Sequence, residues 1–168
     1  MTTRLLLLAD THVPRRARHL PDDVLIAAGA ADIVVHAGDW VDEATLDLLE
    51  QHSAVLHGVH GNNDGAAVRA RLPEVERFRV EDVEVAVVHE TGPAKGRELR
   101  GDAAFPGIDL LVFGHSHIPW DTRSPLGMRL VNPGSPTDRR RQPQCTMMLA
   151  TIDEDAVGIE LCTVNRAR

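Results

Sequence analysis

The 168-residue chain is 43% hydrophobic and 26% charged, with 25 acidic against 18 basic side chains and a net charge of −7. A chain of that length buries roughly 70% of the surface its unfolded form exposes, so one domain spanning residues 1–168 is expected, and wholesale disorder or a fibrous or repeat architecture is excluded. A net negative surface repels a phosphate backbone, which argues against stable, sequence-independent nucleic-acid binding.

In chain order, Met1 to Arg4 followed by Leu5 to Ala9 has the start of a secretory leader. Asp10 then closes the apolar run, short of the roughly 7 to 15 residues such a region needs. No stretch has the length of a membrane span, so a cytoplasmic protein without a membrane anchor is expected. Cys145 and Cys162 are too few for a disulfide framework and lack zinc-finger spacing to a histidine pair, so both are read as reduced thiols.

Apolar runs at Leu5 to Ala9, Ile33 to Ala37, Ala54 to Val59, Val83 to Val88 and Leu110 to Phe113 alternate with helical segments. That pattern predicts an α/β fold of parallel strands joined by crossover helices. Pro21-Asp22-Asp23 opens the first helix, which runs out near Gly29. Asp42 to Gln51 sets Ala44, Leu46 and Leu49 among acids and predicts a second, amphipathic helix. In the fourth run Val83, Val85, Val87 and His89 share one face and Glu84 takes the other, the period of a half-buried strand. Arg129 to Val131, Gln144 to Thr151 and Gly158 to Val164 are strand-like, with a turn at Ile152 to Asp155, and predict a C-terminal antiparallel meander.

Metal-competent side chains fall where the first five runs end. Asp10 and His12 follow the first, Asp39 the second, Asn62 the third, His89 the fourth, and His115 and His117 the fifth. In open α/β sheets the functional crevice lies outside the carboxyl ends of the strands, so these seven side chains are expected on one rim. Taken singly each has a bland reading, since Gly-Asp is an ordinary turn and a strand-end histidine an ordinary core residue; their ordered recurrence points to a site. Imidazoles with carboxylates suit zinc, manganese, iron, nickel or cobalt without choosing among them. Seven ligands exceed the needs of one structural zinc, so two ions are expected.

Asp10-Thr11-His12, Gly38-Asp39-Trp40-Val41-Asp42, Gly61-Asn62-Asn63-Asp64, His89 and Gly114-His115-Ser116-His117 resemble the motif series of the calcineurin-like metallophosphoesterase superfamily. Asp10 to Arg16 and Asn132 to Pro136 further resemble its small bacterial and archaeal phosphodiesterase branch. The resemblance implies a four-layer α/β/β/α sandwich of two mixed sheets. It also implies that Asp10, His12 and His117 hold one divalent ion and Asn62, His89 and His115 the other, with Asp39 bridging. A hydroxide shared by the ions would attack phosphorus. Manganese is the first expectation, with iron, zinc, nickel, cobalt or magnesium as alternatives.

The chain departs from the family at Asn63, where many members have a histidine that protonates the leaving oxygen. An amide cannot do so, which tilts the substrate toward a small phosphodiester. Asp39 and Asn62 remain the expected catalytic residues, with His60 a candidate replacement acid, and Asp64 is expected to orient its neighbours or cap a helix. Glu90 replaces a small residue common in the family. Arg15 and Arg16 are candidate substrate phosphate ligands. Arg139-Arg140-Arg141 reads as surface or subunit contact, Trp40 and Trp120 as packing or as walls that stack on a base, and both cysteines as buried fillers. A dimer or tetramer is implied by relatives. The competing readings are an interaction or scaffold protein on the same fold, and a dinuclear hydrolase of amides or lactones.

Overall fold

The structure, a computed structural model, describes residues 1–165. Its elements are β1 (Thr3–Leu8), α1 (Asp22–Ala30), β2 (Ile33–His36), α2 (Glu43–His52), β3 (Leu56–Gly58), α3 (Ala66–Arg71), β4 (Val75–Val80), β5 (Val83–Val88), α4 (Arg97–Ala104), β6 (Leu110–Val112), β7 (Trp120–Arg123), β8 (Arg129–Asn132), β9 (Cys145–Asp153) and β10 (Ala156–Val164). One five-stranded sheet has the order β10-β9-β1-β2-β3 and the other β4-β5-β6-β8-β7. Parallel pairs lie at the heart of each sheet, β1 with β2 and β2 with β3, β5 with β6 and β6 with β8, while β9, β10, β4 and β7 pair antiparallel. Both sheets are therefore mixed.

The leucine run of β1 shows why the layers stack. Leu5 and Leu7 face the second sheet and pack with Val85, Val87, Val112 and Val131, whereas Leu6 and Leu8 face the helices and pack with Val24, Leu46, Leu49 and Val68. A strand buried on both faces needs apolar residues at every position, and each such Leu or Val contributes about 1.5–3 kcal/mol. Asp42 caps α2, its Oδ1 accepting from the Thr45 backbone N–H at 3.1 Å. On the far side α4 covers Leu111, Met128 and Leu130. It approaches through Gly101, whose missing Cβ would stand 2.9 Å from Met128 Cε and 3.1 Å from Leu130 Cδ2. The result is the four-layer α/β/β/α sandwich.

The two mixed sheets that the family resemblance implies are present: β4 and β5 make an antiparallel hairpin that starts the second sheet, and the rim of the site is shared between the two. Two expectations from periodicity are corrected. Strand β8 pairs with β6 and β7, while β9 and β10 belong to the other sheet, so the C-terminal strands are a hairpin and not a meander. Strand β5 is buried on both faces at its centre, since Ala86 packs in a cluster with Ile108, Leu111 and Leu130 on the face opposite Val85 and Val87. Helices α3 and α4 and strands β4 and β7 had no sequence signal strong enough to place them. Helix α4 lacks an apolar stripe, with Leu99 66% exposed and glycine at the contact.

Candidate metal centre

The backbone at the strand ends is unusual. Asp10 (φ 55°), His12 (45°), Asp39 (63°), His115 (71°) and His117 (60°) are left-handed, as is the β-branched Val41 (87°). Conformations that L-residues avoid persist where the surroundings over-determine them, and they cluster at functional sites. Asp64 supplies much of that determination. Its Oδ2 accepts from the backbone N–H of Asp39 at 3.0 Å and Gly61 at 2.7 Å, and its Oδ1 from Val41 at 2.7 Å. It ties the loops after β2 and β3 together and does not cap α3, whose N-cap is Gly65.

All seven sequence-selected side chains meet. His12 Nε2 lies 3.2 Å from His117 Nε2, and Asp10 Oδ1 is 3.8 Å and 3.5 Å from those two nitrogens. Asp39 Oδ2 stands 3.4 Å from both His12 Nε2 and His89 Nε2. Asn62 Oδ1 is 3.0 Å from His89 Nε2 and 3.1 Å from His115 Nδ1. Asp10, His12 and His117 offer ligand atoms within 4.8 Å of one another, and so do Asp10, Asp39 and His89. Asp10 thus belongs to both groups, and Asp39 Oδ2 stands between His12 and His89.

Their outer atoms are fixed by the protein. His89 Nδ1 donates to the Ala37 carbonyl at 2.7 Å and His117 Nδ1 to the Asp138 carbonyl at 2.7 Å, which aims each Nε2 at the cluster, where it offers a ligating lone pair when it carries no proton. Burial alone would raise the Asp39 carboxyl, but His89 and the Asn63 side-chain and backbone N–H groups hold it well below the usual carboxylate range. Burial lowers His89 too, yet the hydrogen bond to Asp39 and the charges of Asp10 and Asp39 raise it on balance. Burial keeps His117 below its ordinary value.

Of the supporting residues, His36 and Thr137 escaped the sequence reading, and Asn132 and Ser135 lie in the segment it singled out without giving them a role. His36, fully buried, accepts from Gly38 N–H at Nδ1 (3.2 Å), so its Nε2 carries the proton and donates to Thr11 Oγ1 at 3.1 Å, while its ring stacks 3.6 Å from Trp40. Burial pushes this imidazole well below its usual pKa, helped by the charge of His89. Asn132 Nδ2 donates to the Gly114 carbonyl at 2.8 Å, Ser135 Oγ to the Asp10 carbonyl at 2.7 Å and Thr137 Oγ1 to the Thr11 carbonyl at 2.6 Å. No periodicity marks such braces; they are small polar residues whose role comes from distant partners.

Of the other residues singled out, His60 lines a cavity of about 180 Å³ with Asn62, His89 and Glu90, and Arg69 Nη1 lies 3.2 Å from its Nδ1. Asn63 donates from Nδ2 to Asp39 Oδ2 at 2.7 Å. Arg15 is exposed, and Arg16 is paired with Asp138 at 3.5 Å. Arg139, Arg140 and Arg141 are exposed. Trp40 is core, its Nε1 donating to the Val59 carbonyl at 2.9 Å, and so walls no pocket. Trp120 is half-buried beside a cavity. Cys145 is buried, whereas Cys162, on the exposed edge strand β10, is only half-buried and fills no core position fully.

Both carboxylate oxygens of Asp10 are buried and receive no hydrogen bond. A buried carboxylate without donors is expensive, and a divalent cation among Asp10, Asp39 and the facing imidazole nitrogens relieves that penalty. The donors therefore fit a metal, and their oxygen and nitrogen mix suits several first-row ions.

The sequence model described as the calcineurin-like phosphoesterase superfamily domain matches residues 3–155. The chain belongs to that family. A probable metallophosphoesterase of Methanothermobacter thermautotrophicus is 34% identical to this calcineurin-like phosphoesterase over 161 residues, covering 92% of this chain and 89% of the relative. The solution structure of a Thermotoga maritima protein superposes with a TM-score of 0.76 at 34% identity, over 96% of this chain and 99% of the other. Vps29 of Entamoeba histolytica, in a structure with zinc, shares the fold with a TM-score of 0.76 at 22% identity, over 96% and 99% of the two chains.

Proposed function

We propose that this calcineurin-like phosphoesterase is a phosphodiesterase acting on a small phosphodiester with two divalent ions, manganese foremost, and that it works as one domain across residues 1–168. Asp10, His12 and His117 would hold one ion, Asn62, His89 and His115 the other, with Asp39 between them. The observation that carries this reading is the donor-free, buried Asp10 carboxylate facing two imidazole nitrogens. When bound, such cations acidify water and stabilise charge on phosphoryl oxygens.

The chain's own residues prepare that site. His89 and His117 are held in one tautomer by the Ala37 and Asp138 carbonyls, so neither ring must reorient to ligate. Asp39 stays ionised throughout the neutral range, and Asp64 fixes its backbone. Asn63 spends its amide on Asp39 and supplies no proton to a leaving group. That favours diesters with good leaving groups, or protonation from His60, whose Nδ1 side is occupied by Arg69 and whose Nε2 can carry the proton. A scaffold that holds metal without turnover would satisfy the same carboxylate, and turnover is what separates it from this reading.

The decisive experiment is hydrolysis of bis(p-nitrophenyl) phosphate and p-nitrophenyl phosphate by metal-stripped protein, with and without manganese, beside Asp39→Asn. Diester turnover that requires the metal and falls by at least roughly 10²-fold in the variant is expected. Preference for the monoester refutes the diesterase assignment, and absence of turnover with every divalent ion refutes the enzyme.

A further inference from the structure

A second cavity, of about 400 Å³, opens beside the candidate centre and shares His115 with it. Its walls include Pro93, Ile118 and Trp120, which are apolar, and Glu90 and Arg97, which are charged. Glu90 Oε1 lies 3.8 Å from His115 Nε2 and its side chain is 56% exposed, so it is free to turn to solvent.

Arg97 is different. It is 6% exposed, and its guanidinium carbon lies 4.7 Å from the Phe113 ring centre and 4.5 Å from that of Trp120. Nε donates to Thr91 Oγ1 at 2.9 Å and Nη2 to the Gly92 carbonyl at 3.3 Å. Among the described residues Nη1 has no hydrogen-bond partner, and no carboxylate is paired with Arg97. The adjacent Glu98 forms no ion pair with it, accepting instead from Thr122 Oγ1 at 2.8 Å, and its charge stabilises the guanidinium only from a distance, while burial still lowers Arg97 on balance. Buried cations are ordinarily paired, because desolvation of an uncompensated charge is costly. Two aromatic faces offset part of that cost, while two neutral oxygens and an open Nη1 leave the rest. A fixed guanidinium with one free edge is a geometry suited to an oxyanion.

We propose that this cavity is a substrate subsite, in which Arg97 reads a second anionic group, carboxylate or phosphate, at the end of one organic arm of the phosphodiester. The apolar body of the arm lies along Pro93, Ile118 and Trp120. The assignment rests on the phosphoesterase reading for its substrate but not for the anion site itself. Arg97 is a specificity-determining residue, and the substrate class is a phosphodiester carrying charge beyond the reacting phosphate.

The test uses p-nitrophenyl phosphodiesters whose second arm is an alkyl chain of graded length ending in a carboxylate, a phosphate or a neutral carboxamide. For the best-fitting length, wild-type protein is expected to prefer the anionic arms over the amide by at least roughly 10-fold in kcat/KM, mostly through KM. Arg97→Gln brings that ratio to about one, and Arg97→Lys, which retains charge without the fork, keeps part of it. Carboxylate and phosphate arms compared directly tell which anion the site takes. A ratio near one in the wild type, or a ratio unchanged in Arg97→Gln because both arms lose equally, overturns the subsite and leaves the phosphoesterase standing. Affinities of zinc-loaded protein for ω-carboxyalkylphosphonates and their amides give a readout independent of turnover. If no diester is hydrolysed but the carboxylate is still bound tighter and Arg97→Gln abolishes the difference, the anion site stands and the catalytic reading falls.

Discussion

Replacing Asp10 by Asn exchanges stability with and without metal in opposite directions. Asp10 is fully buried, both of its oxygens lack donors, and its φ of 55° is one that Asn tolerates as well as Asp does. The amide is neutral, and its NH₂ can donate to the Nε2 of His117, now 3.5 Å from Asp10 Oδ1, or of His12, 3.8 Å away. Leaving a buried polar group unsatisfied costs about 1–3 kcal/mol, so metal-stripped Asp10→Asn is expected to be more stable than the stripped wild type by that amount. For a chain of this size 1 kcal/mol moves Tm by about 2–4 °C, giving a rise of roughly 2–12 °C. With manganese at a hundred times its dissociation constant the wild type gains about 2.7 kcal/mol, whereas the variant, missing a carboxylate common to both ligand groups, gains little. Thermal melts of both proteins, with chelator and with metal, read the crossing directly. If Asp10→Asn melts below the wild type in chelator, or if both respond equally to metal, the carboxylate is not a vacant ligand and the reasoning fails.

Two further perturbations probe the frame around the ligands. A Cβ at Gly61 would overlap Asp39 Oδ1 and sit 2.6 Å from the Asp39 backbone nitrogen; Gly61→Ala is therefore expected to displace the Asp39 carboxylate and weaken metal affinity about 10- to 100-fold, and an unchanged metal titration rules this out. His36 stays neutral in the fold because burial and the His89 charge lower its pKa. The unfolded chain protonates it near pH 6.5, so below that pH the unfolded state binds the extra proton and folded stability declines as pH falls. Between pH 7.5 and 5.5 the contribution is at most about 1.4 kcal/mol. Urea denaturation of metal-stripped protein should show a smaller loss over that interval in His36→Asn than in the wild type, and equal losses refute the assignment.

The candidate centre was more legible than the fold that carries it. Ligand types stand at strand ends as Asp-x-His, Gly-Asp, Gly-Asn and His-x-His, and both the residue types and the apolar runs before them are local, so they survive in a bare sequence. The centres of β1, β2 and β6 follow from their Leu, Ile and Val runs, and that of β5 from valines alternating with Glu84 and Ala86, for the same reason. Strand β4, reading Val-Glu-Arg-Phe-Arg-Val, was not legible because it is an edge strand with Arg77 and Arg79 on its exposed face and Glu76 on the other. The division of the strands between two sheets was not legible from periodicity either, since a doubly buried strand looks the same in one sheet as in two.

By itself the sequence marked the candidate ligands, the strand ends that bear them and, at Asn63, an amide where the family resemblance leads one to expect an acid. Tertiary structure alone decided which groups are satisfied and which are not. His12 meets His117 across 105 residues of chain and Ser135 reaches Asp10 across 125, and it is such long-range packing that leaves Asp10 without a donor and Arg97 between two rings with Nη1 open. A hydrogen bond absent from a buried group is a property of everything surrounding it, and no local pattern in the chain records it.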